Sequence, residues 1–266
     1  MFNLGVKPDW KLNPNGKQMM RQGFTLLELL LVICILGVLA ALLGPTLSRA
    51  KMQGQNTTCI SNLRQLGIAL QSFVADNDAY PSIIAPTNGD YPGLWVSQLE
   101  TGGFGKSRPI ASFINRGVWR CPAAPLFNPW PPSNGSDEWD SYAYNGWGVA
   151  VPNPTNFLGL RGNYIPGEHW IKGYPGYAPV KESEVMAPAE MMAIGDSANG
   201  GLYFARYDLP YVDRNGRSSS RHQGRFNVLF CDGHVESPTL EFLFADTTYA
   251  ALVRWNRDHQ PHQDSL

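Results

Sequence analysis

The sequence predicts an α+β protein in which one long N-terminal helix packs on a C-terminal antiparallel sheet, with long loops between them. Three patterns predict this class: an uncharged apolar run near the N-terminus, a helical repeat of apolar residues directly after it, and alternating apolar residues near the C-terminus. Between them lies a stretch rich in Pro and Gly, residue types that favour turns and loops.

The composition excludes several classes of protein. Of the 266 residues, 43% are hydrophobic, which is too many for a disordered chain. The formal net charge is −1, so the basic excess of a nucleic-acid-binding protein is missing and no nucleic-acid partner is expected. Four cysteines are too few for a small disulfide scaffold. Only 16% of the residues are charged, against roughly 25% in an ordinary soluble domain.

The first element is a membrane segment. Residues 29–48 carry no charge and consist mostly of Leu, Ile, Val and Ala, and at about 1.5 Å per residue this run spans the roughly 30 Å hydrocarbon core of a bilayer. A buried core helix is the less favoured alternative, because the run has twenty consecutive uncharged residues with apolar side chains all round. A cleavable signal would have a shorter run and a small-x-small site, whereas Gly44-Pro45-Thr46-Leu47 is a poor one.

Charges before the run predict its orientation. Residues 1–23 hold four basic residues and one acidic residue, namely Lys7, Lys11, Lys17 and Arg21 against Asp9. Because positive flanks stay on the cytoplasmic side, a single-pass topology is expected with the N-terminus in the cytoplasm and the remainder exported. Disulfides are allowed in that compartment.

The boundary between leader and run carries the most specific motif, Arg21-Gln22-Gly23-Phe24-Thr25-Leu26-Leu27-Glu28. It resembles the processing site of type IV prepilins and type II secretion pseudopilins. The resemblance implies a pilin-like fold and cleavage by a membrane prepilin peptidase between Gly23 and Phe24, with methylation of the new N-terminal residue. Glu28 then becomes the fifth residue of the mature chain.

The same resemblance implies roles for two residues in assembly. A lone carboxylate at the edge of an apolar segment is costly and is usually functional. Glu28 is expected to pair with the α-amino group of a neighbouring subunit, which sets axial register in a filament. Pro45 removes a backbone donor, so it is expected to kink or locally melt the helix.

The predicted leader, residues 1–23, is long for the simpler members of this family. Met19 and Met20 immediately precede the motif, and a start at either would leave a leader of four or five residues. A true start at one of these methionines is therefore expected.

The helix is predicted to continue outside the membrane, from residue 49 to about residue 80. Apolar residues recur in steps of three or four, opposite a polar face that includes Asn62. The stripe consists of Ile60, Leu63, Leu66, Leu70 and Phe73. Asp76-Asn77-Asp78 is expected to end the helix, with Pro81 after it. This exit resembles that of the major pseudopilins.

Residues 81–180 are predicted to be loop-rich, with a short strand at residues 142–145. Aromatic residues cluster there, including Trp95, Trp119, Trp130, Trp139, Trp147 and Trp170. They either form the small core of a loop-rich region, which is favoured, or present a carbohydrate-binding face.

Residues 181–266 are predicted to be β-rich. Strands are expected at residues 190–194 and 201–207, and residues 226–231 alternate with Phe226, Val228 and Phe230 on one face. Asp232-Gly233 is a preferred pair for a two-residue type I′ turn into a return strand at residues 234–236.

This hairpin carries a second resemblance. His222 is followed by nine residues and then Asp232-Gly233, and it resembles the H-X9-DG C-terminal region of a large group of exported bacterial proteins with prepilin-type N-termini. The residues that match are Arg221, His222, Asn227, Phe230, Asp232, Gly233, His234 and Val235. Major pseudopilins have shorter C-terminal regions, so the principal subunit of a secretion pseudopilus is a less favoured assignment.

The hairpin and the strand before it offer a candidate metal site. Asp196, His222, Asp232 and His234 converge if the strands pair, with Asp196, His222 and Asp232 as the metal candidates, and carboxylate oxygens suit calcium. Cys231-x-x-His234 has a spacing used by zinc ligands, although calcium is placed before zinc. The favoured alternative is structural, with Asp232 as a turn former and His222 as a hydrogen-bonding residue of the hairpin. Calcium is the one candidate cofactor, and the sequence establishes none.

A hydrolase is a third and weak hypothesis. Gly195-Asp196-Ser197 is similar to the nucleophile block of one esterase group, but the block and its histidine occupy the wrong positions in the chain. No phosphate-binding glycine loop is present in the sequence. We therefore expect a protein that is not an enzyme.

Cys59 and Cys121 are the candidate disulfide pair. Cys34 lies in the membrane run and Cys231 in the hairpin, whereas Cys59 and Cys121 both belong to the exported part. Whether the two cysteines pair is left open by the sequence. A bridge between them would attach the loop region to the helix.

The overall prediction is a pilin-like structural subunit of the inner membrane with an exported body, processed by a prepilin peptidase. Its expected partners are other pilin-like subunits, an inner-membrane assembly platform and the lipid bilayer. The alternative is a membrane-anchored exported protein that binds a ligand such as a glycan and does not polymerise.

Overall fold

The structure is a computed structural model that describes residues 24–85, 93–105, 108, 116–124, 141–149, 157–171, 174–197, 203–204 and 221–266. The chain divides into two compact units, Met1–Ser48 and Arg49–Leu266. The predicted leader, including Gly23, lies outside the described residues.

Helix α1 spans Leu26–Asn77. The predicted long N-terminal helix and its end near Asp76-Asn77-Asp78 are confirmed, and Asp78 leaves the helix with a left-handed φ of 53°. The helix continues through Pro45 without interruption. Local unwinding at Pro45 stays a prediction.

In the first unit, the described side chains of residues 24–48 are all exposed. Within the described part of the chain, α1 is the one helix that is long and apolar enough to cross a membrane. The apolar side chains of residues 24–48 therefore form no hydrophobic core within their own unit.

In the second unit, a five-stranded sheet has the strand order β7-β3-β6-β8-β9. Its strands are β3 (Tyr142–Asn145), β6 (Met192–Asp196), β7 (Tyr203–Phe204), β8 (Val228–Phe230) and β9 (Val235–Glu236). The pairs β3–β6, β6–β8 and β8–β9 are antiparallel, and β7 adds in parallel to β3. The predicted strand at residues 142–145 is confirmed, and β6 lies within two residues of its prediction.

The β8–β9 turn differs from the prediction. Gly233 donates its amide to the Phe230 carbonyl (3.0 Å) and Phe230 donates to the His234 carbonyl (2.9 Å), so the loop has three residues and not two. Gly233 takes a left-handed φ of 94°, while Asp232 does not have the positive φ that a type I′ turn requires. A three-residue loop ending in a left-handed glycine lets the hairpin close without a left-handed aspartate.

Both faces of the sheet are buried. The predicted alternation in residues 226–231 is confirmed, because Phe226, Val228 and Phe230 belong to one buried cluster while Leu229 and Cys231 belong to another. The Leu229 cluster includes four of the five residues of the predicted stripe on α1, namely Leu63, Leu66, Leu70 and Phe73. The opposite cluster contains Leu243, Phe244, Leu252 and Trp255 from the C-terminal segment.

That C-terminal segment is helical and not β. After β9, the chain forms a π-helical turn at Glu241–Ala245, the short helix α3 at Tyr249–Leu252 and a 3₁₀ turn at Val253–Trp255. The buried Trp255 donates its indole N–H to the Leu243 carbonyl (3.1 Å), which attaches these turns to one another.

The region expected to be loop-rich also contains regular elements. They are β1 (Ile84–Ala85), β2 (Gly93–Leu94), α2 (Trp95–Thr101), a 3₁₀ turn (Gly117–Trp119) and a hairpin of β4 (Asn163–Ile171) with β5 (Tyr174–Ala178). The nine-residue strand β4 contains a proline and a glycine and has irregular register, which hides it from a search for alternating residues.

Candidate functional site

Glu28 is fixed at the start of α1 by a capping box. Its Oε2 atom accepts hydrogen bonds from the backbone amide (2.9 Å) and hydroxyl (2.8 Å) of Thr25, and the Thr25 hydroxyl accepts one from the Glu28 amide (3.2 Å). The Thr-x-x-Glu spacing is the sequence signature of this arrangement. The capping role was not part of the sequence prediction, which assigned Glu28 to assembly alone.

Phe24 lies directly before the capping box and is exposed. Its predicted partner in cleavage, Gly23, falls outside the described residues, so the cleavage site stays a prediction. The described geometry has the helix begin three residues after Gly23, at Leu26.

The H-X9-DG histidine lies in a buried polar cluster in the second unit. Nε2 of His222 lies 3.4 Å from Oδ2 of Asp196 and 3.4 Å from Sγ of Cys121. Cys121 is disulfide-bonded to Cys59 of α1, with 5.0 Å between their Cα atoms. The structure therefore brings together two residues of the predicted metal site and both residues of the predicted disulfide.

Asp232 does not join this cluster, so the predicted convergence of Asp196, His222 and Asp232 is wrong. The antiparallel pairing places Asp196 beside Asn227 at the start of β8, with 3.0 Å between the Asp196 amide nitrogen and the Asn227 carbonyl oxygen. Asp232 lies beyond the other end of β8, in the hairpin loop. There it accepts hydrogen bonds from the backbone amide (3.0 Å) and Nδ1 (2.6 Å) of His234.

Cys231 and His234 also point to different places. Cys231 is buried in the cluster under α1, and burial raises the pKa of its thiol above the ordinary value. His234 instead stacks on the ring of Phe230, with 4.4 Å between ring centroids. The alternative zinc pair suggested by the Cys-x-x-His spacing is therefore not formed.

Asn227 connects the histidine cluster to α1. Its backbone amide donates to Oδ2 of Asp196 (2.8 Å), its side-chain amide donates to Oδ1 of Asn56 (2.9 Å), and its own Oδ1 accepts from the Ser237 hydroxyl (2.5 Å). One residue of the H-X9-DG region thus joins strand β6, helix α1 and the segment after β9.

The pKa of Tyr142 is affected by charged residues of this cluster. Tyr142 donates its hydroxyl to the Cys59 carbonyl (3.4 Å). Burial and then the negative charge of Asp196 raise the pKa of Tyr142 above its ordinary value, while Asn62 and the positive charge of Arg221 act in the opposite direction. The charges of Asp196 and Arg221 therefore both act on Tyr142, whose hydroxyl bonds to Cys59.

Three further residues hold these elements in position, and the sequence did not indicate them. Asn62, predicted on the polar face, is buried and donates its side-chain amide to the Arg120 carbonyl (2.7 Å), next to the disulfide. Asn145, at the end of β3, donates to the carbonyls of Met192 and Trp255 (2.9 Å each). Gly67 lets α1 approach the β8–β9 hairpin, because a Cβ there would lie 2.7 Å from Cδ1 of Leu229. Buried asparagines and a helical glycine give no periodic signal.

The hydrolase hypothesis has no geometric support. Ser197, the nucleophile it requires, is 0% exposed. The contacts described for His222 Nε2 are with Asp196 and Cys121.

Of the tryptophans that the structure describes in the predicted loop-rich region, Trp95 and Trp119 belong to the buried core. Trp95 stacks on Tyr144 with 5.1 Å between ring centroids, and Trp119 packs edge-on against Trp95 at 5.7 Å. The core interpretation is confirmed for these two residues. Trp130 and Trp139 lie outside the described residues.

A family model described as the prokaryotic N-terminal methylation motif matches residues 18–44, which include Gly23, Phe24 and Glu28. The match therefore covers the predicted cleavage site and most of the membrane segment.

Curated proteins extend the similarity beyond this motif. The chain is 44% identical over 71 residues to the type II secretion system core protein G of Pectobacterium carotovorum subsp. carotovorum, covering 26% of this chain and 46% of that protein. It is 31% identical over 103 residues to the protein of the same name from Pseudomonas aeruginosa, covering 36% of this chain and 70% of that protein. It is 32% identical over 92 residues to the type IV major pilin protein PilA of Myxococcus xanthus, covering 33% of this chain and 40% of that protein.

The chain thus spans about half the length of the Pectobacterium relative and a larger share of the Pseudomonas one. No solved structure matches the chain at a comparable level of significance. The similarity lies in about a third of this chain, and the larger part is not covered by these relatives.

Proposed function

Because the chain belongs to the family of prepilin-like proteins that includes the type II secretion pseudopilins and type IV pilins, we propose that it is a structural subunit cleaved between Gly23 and Phe24 by a prepilin peptidase. The processed chain is inserted in the inner membrane through residues 24–48 and assembles with other pilin-like subunits on an inner-membrane platform. The family is a structural one, and the proposed role involves no catalysis.

The observation that carries this proposal is the first part of α1. Its apolar side chains are exposed on every face in the isolated subunit. An apolar surface of this kind is stable only in lipid or against similar helices. The same segment therefore serves as a membrane anchor before assembly and as a helix–helix contact after it.

The proposed orientation has the N-terminus in the cytoplasm and the body in the periplasm or at the cell surface. Basic residues precede the apolar run, and the body carries a disulfide between Cys59 and Cys121. Positive flanks and a disulfide-bonded body both fit this orientation.

Glu28 has two partners in this proposal. In the isolated subunit, the Thr25 amide and hydroxyl satisfy one of its carboxylate oxygens. On assembly, its negative charge pairs with the α-amino group of a neighbouring subunit. The capping box lowers the cost of keeping a carboxylate at the membrane edge until that partner arrives.

Two substitutions separate the charge of Glu28 from its capping role. Glu28→Ala removes both, whereas Thr25→Ala breaks the capping box and keeps the carboxylate. We expect Glu28→Ala to leave peptidase cleavage largely intact and to abolish cross-linking between subunits that carry a photo-reactive residue at position 36. Thr25→Ala is expected to retain cross-linking. The measurement is the ladder of cross-linked species in membranes of cells expressing the full chain.

The same experiment tests the alternative of a membrane-anchored protein that does not polymerise. That protein would give no ordered ladder with the native sequence. Normal incorporation of the Glu28→Ala chain into a ladder would contradict the assembly role of Glu28. Gly23→Ala is expected to block cleavage by the peptidase. Normal cleavage of this variant would contradict the proposed cleavage site.

A further inference from the structure

The cluster around His222 gathers four metal-ligating side chains from four separate segments. Cys59 comes from α1, Cys121 follows the 3₁₀ turn Gly117–Trp119, Asp196 ends β6, and His222 lies in the turn Arg221–Gly224. One ligand atom from each of Cys59, Cys121 and His222 lies within 4.8 Å of the others. All four residues are buried.

The two distances from His222 Nε2 match two edges of a tetrahedral zinc site, whereas the group whose ligand atoms all lie within 4.8 Å of one another contains Cys59, Cys121 and His222 without Asp196, so the Asp196 carboxylate has to move toward the sulfur atoms to become the fourth ligand. Zinc bonds of about 2.3 Å to sulfur and about 2.0–2.1 Å to nitrogen and oxygen give separations of about 3.5 Å between N and S, and about 3.3 Å between N and O. The structure has 3.4 Å from His222 Nε2 to Cys121 Sγ and 3.4 Å from His222 Nε2 to Asp196 Oδ2.

The two cysteine side chains can complete this geometry once the bond between them is broken. Two thiolates on one zinc ion lie about 3.8 Å apart. Their Cα atoms are separated by 5.0 Å, so rotation about the Cα–Cβ bonds is sufficient to separate the sulfur atoms by this amount.

Polar atoms of the cluster are left without partners. Oδ1 of Asp196 and Nδ1 of His222 are buried and have no hydrogen-bond partner among the described residues. Buried polar atoms are nearly always satisfied, so the unpaired Oδ1 is the oxygen of Asp196 that is open to a ligand, whereas the unpaired Nδ1 belongs to the other side of the imidazole ring from the Nε2 that faces Asp196 and Cys121. Oδ2 of Asp196 is held by the Asn227 amide (2.8 Å), which is the kind of contact that orients a metal-ligating carboxylate.

The charges of the cluster also favour a divalent cation in the reduced state. Two thiolates and the Asp196 carboxylate would carry three negative charges, and Arg221 supplies one positive charge close by. A dication makes the total zero, which is the favourable condition for a buried site.

A cavity of about 210 Å³ borders the cluster and is lined by His222 and by Met52, Gln53, Asn56, Gln223 and Arg225. The imidazole of His222 itself is not exposed, so metal entry requires a local opening beside this cavity.

We propose that Cys59, Cys121, Asp196 and His222 form a zinc site when the Cys59–Cys121 disulfide is reduced. A dithiol reductant supplies two electrons and two protons, which break the S–S bond and leave two thiols while the reductant becomes a disulfide. Zn²⁺ then displaces the two thiol protons and binds both sulfur atoms, the imidazole and the carboxylate. The two cysteines either form the disulfide or bind the metal ion, and cannot do both at once. Each of the two linkages attaches α1 to the segment after residue 119.

The test uses Co²⁺ as a spectroscopic probe of the full chain purified in detergent. After reduction with a phosphine, titration is expected to give thiolate-to-cobalt charge transfer and the visible bands of tetrahedral cobalt, with one ion bound per chain and displacement by Zn²⁺. The oxidised chain is expected to give neither. Cys59→Ser/Cys121→Ser is expected to lose the charge-transfer bands.

Two further variants and a control assign the remaining ligands. His222→Gln and Asp196→Asn are each expected to weaken cobalt binding at least ~10-fold. Asp232→Asn is the matched control, because Asp232 was predicted as a ligand from the sequence and lies outside the cluster, and it is expected to titrate as the native chain does.

Three outcomes would overturn the site. They are a folded reduced chain with no charge-transfer band, a band that persists in the cysteine double variant, and native affinity in His222→Gln. If reduction unfolds the chain, recovery of its circular dichroism on adding Co²⁺, together with the bands, supports the site. Absence of that recovery contradicts it.

Discussion

Residues 26–48 and residues 49–77 belong to the same helix, but their side chains have different partners. In the first region the apolar residues occur on every face and all of them are exposed. In the second they fall on one stripe, and Leu63, Leu66 and Leu70 are buried against the sheet. Polar residues of the second region also make specific contacts, such as the disulfide of Cys59 and the amide of Asn62.

This difference separates two kinds of constraint on one helix. The first region is constrained by the membrane and by neighbouring subunits, for which composition matters more than position. The second is constrained by the fold of its own unit, for which each position has a defined neighbour. A substitution in the second region should therefore change the free energy of unfolding of the body, and an equivalent substitution in the first should not.

The largest effect is expected at the cysteines. Replacing both Cys59 and Cys121 with Ser opens a loop of 62 residues and is expected to lower the free energy of unfolding by about 4 kcal/mol in the chain-entropy model. Denaturant unfolding of the full chain in detergent, followed by tryptophan fluorescence, measures this loss. Cys34→Ser in the membrane region is the control and should leave the transition unchanged. Non-reducing peptide mapping that finds both thiols free in the native chain would falsify the disulfide.

The next largest effect is expected for a leucine of the buried stripe. Leu66 is 1% exposed and Leu36 is 58% exposed. Leu66→Ala should cost about 3 kcal/mol, because it removes buried apolar atoms and leaves a cavity. Leu36→Ala should not shift the same unfolding transition. Equal losses for the two variants would mean that residues 26–48 contribute to the fold of the body.

A smaller effect is expected at the glycines of the helix. A Cβ at Gly67 would meet Leu229 Cδ1 at 2.7 Å and the Gly233 carbonyl oxygen at 3.0 Å, whereas a Cβ at Gly37 would meet nothing within 4 Å. Alanine improves helix propensity by about 1 kcal/mol, but overpacking typically costs about 1–3 kcal/mol. Because Leu229 is buried and the carbonyl belongs to the backbone, Gly67→Ala should be destabilising by about 1–2 kcal/mol. Gly37→Ala should leave the transition unchanged, and a stabilised Gly67→Ala chain would show that the hairpin can move away.

Both halves of the helix could be predicted because each has a simple pattern. Twenty uncharged residues and a repeat of three or four are local signals, and so is the alternation of Phe226, Val228 and Phe230. The antiparallel sheet follows from such segments. The Asp232-Gly233 pair correctly marked a turn, but the loop length depended on the Phe230 and His234 hydrogen bonds that the pair alone does not encode.

The candidate site was harder to predict because its residues are distant in the chain. The H-X9-DG motif indicates His222 and the expected strand pairing indicates Asp196, but their neighbours Cys121 and Cys59 come from elements whose approach is decided by packing. Asp232 was grouped with His222 because the motif links them in sequence, while the length of β8 separates Asp232 from Asp196. Sequence spacing within a motif therefore does not imply proximity of its side chains across a sheet.

The smallest effect is expected at a polar contact of the second region. Oδ1 of Asn56 accepts a hydrogen bond from the buried Asn227 side chain (2.9 Å), whereas the Ser48 hydroxyl donates within its own helix to the Gly44 carbonyl (3.1 Å). Asn56→Ala leaves one donor of Asn227 without its partner and should cost about 1 kcal/mol. Ser48→Ala should be neutral, because that carbonyl and hydroxyl are exposed. Thermal unfolding of the two variants beside the native chain measures the difference. No difference would mean that solvent from the adjacent cavity replaces the lost contact.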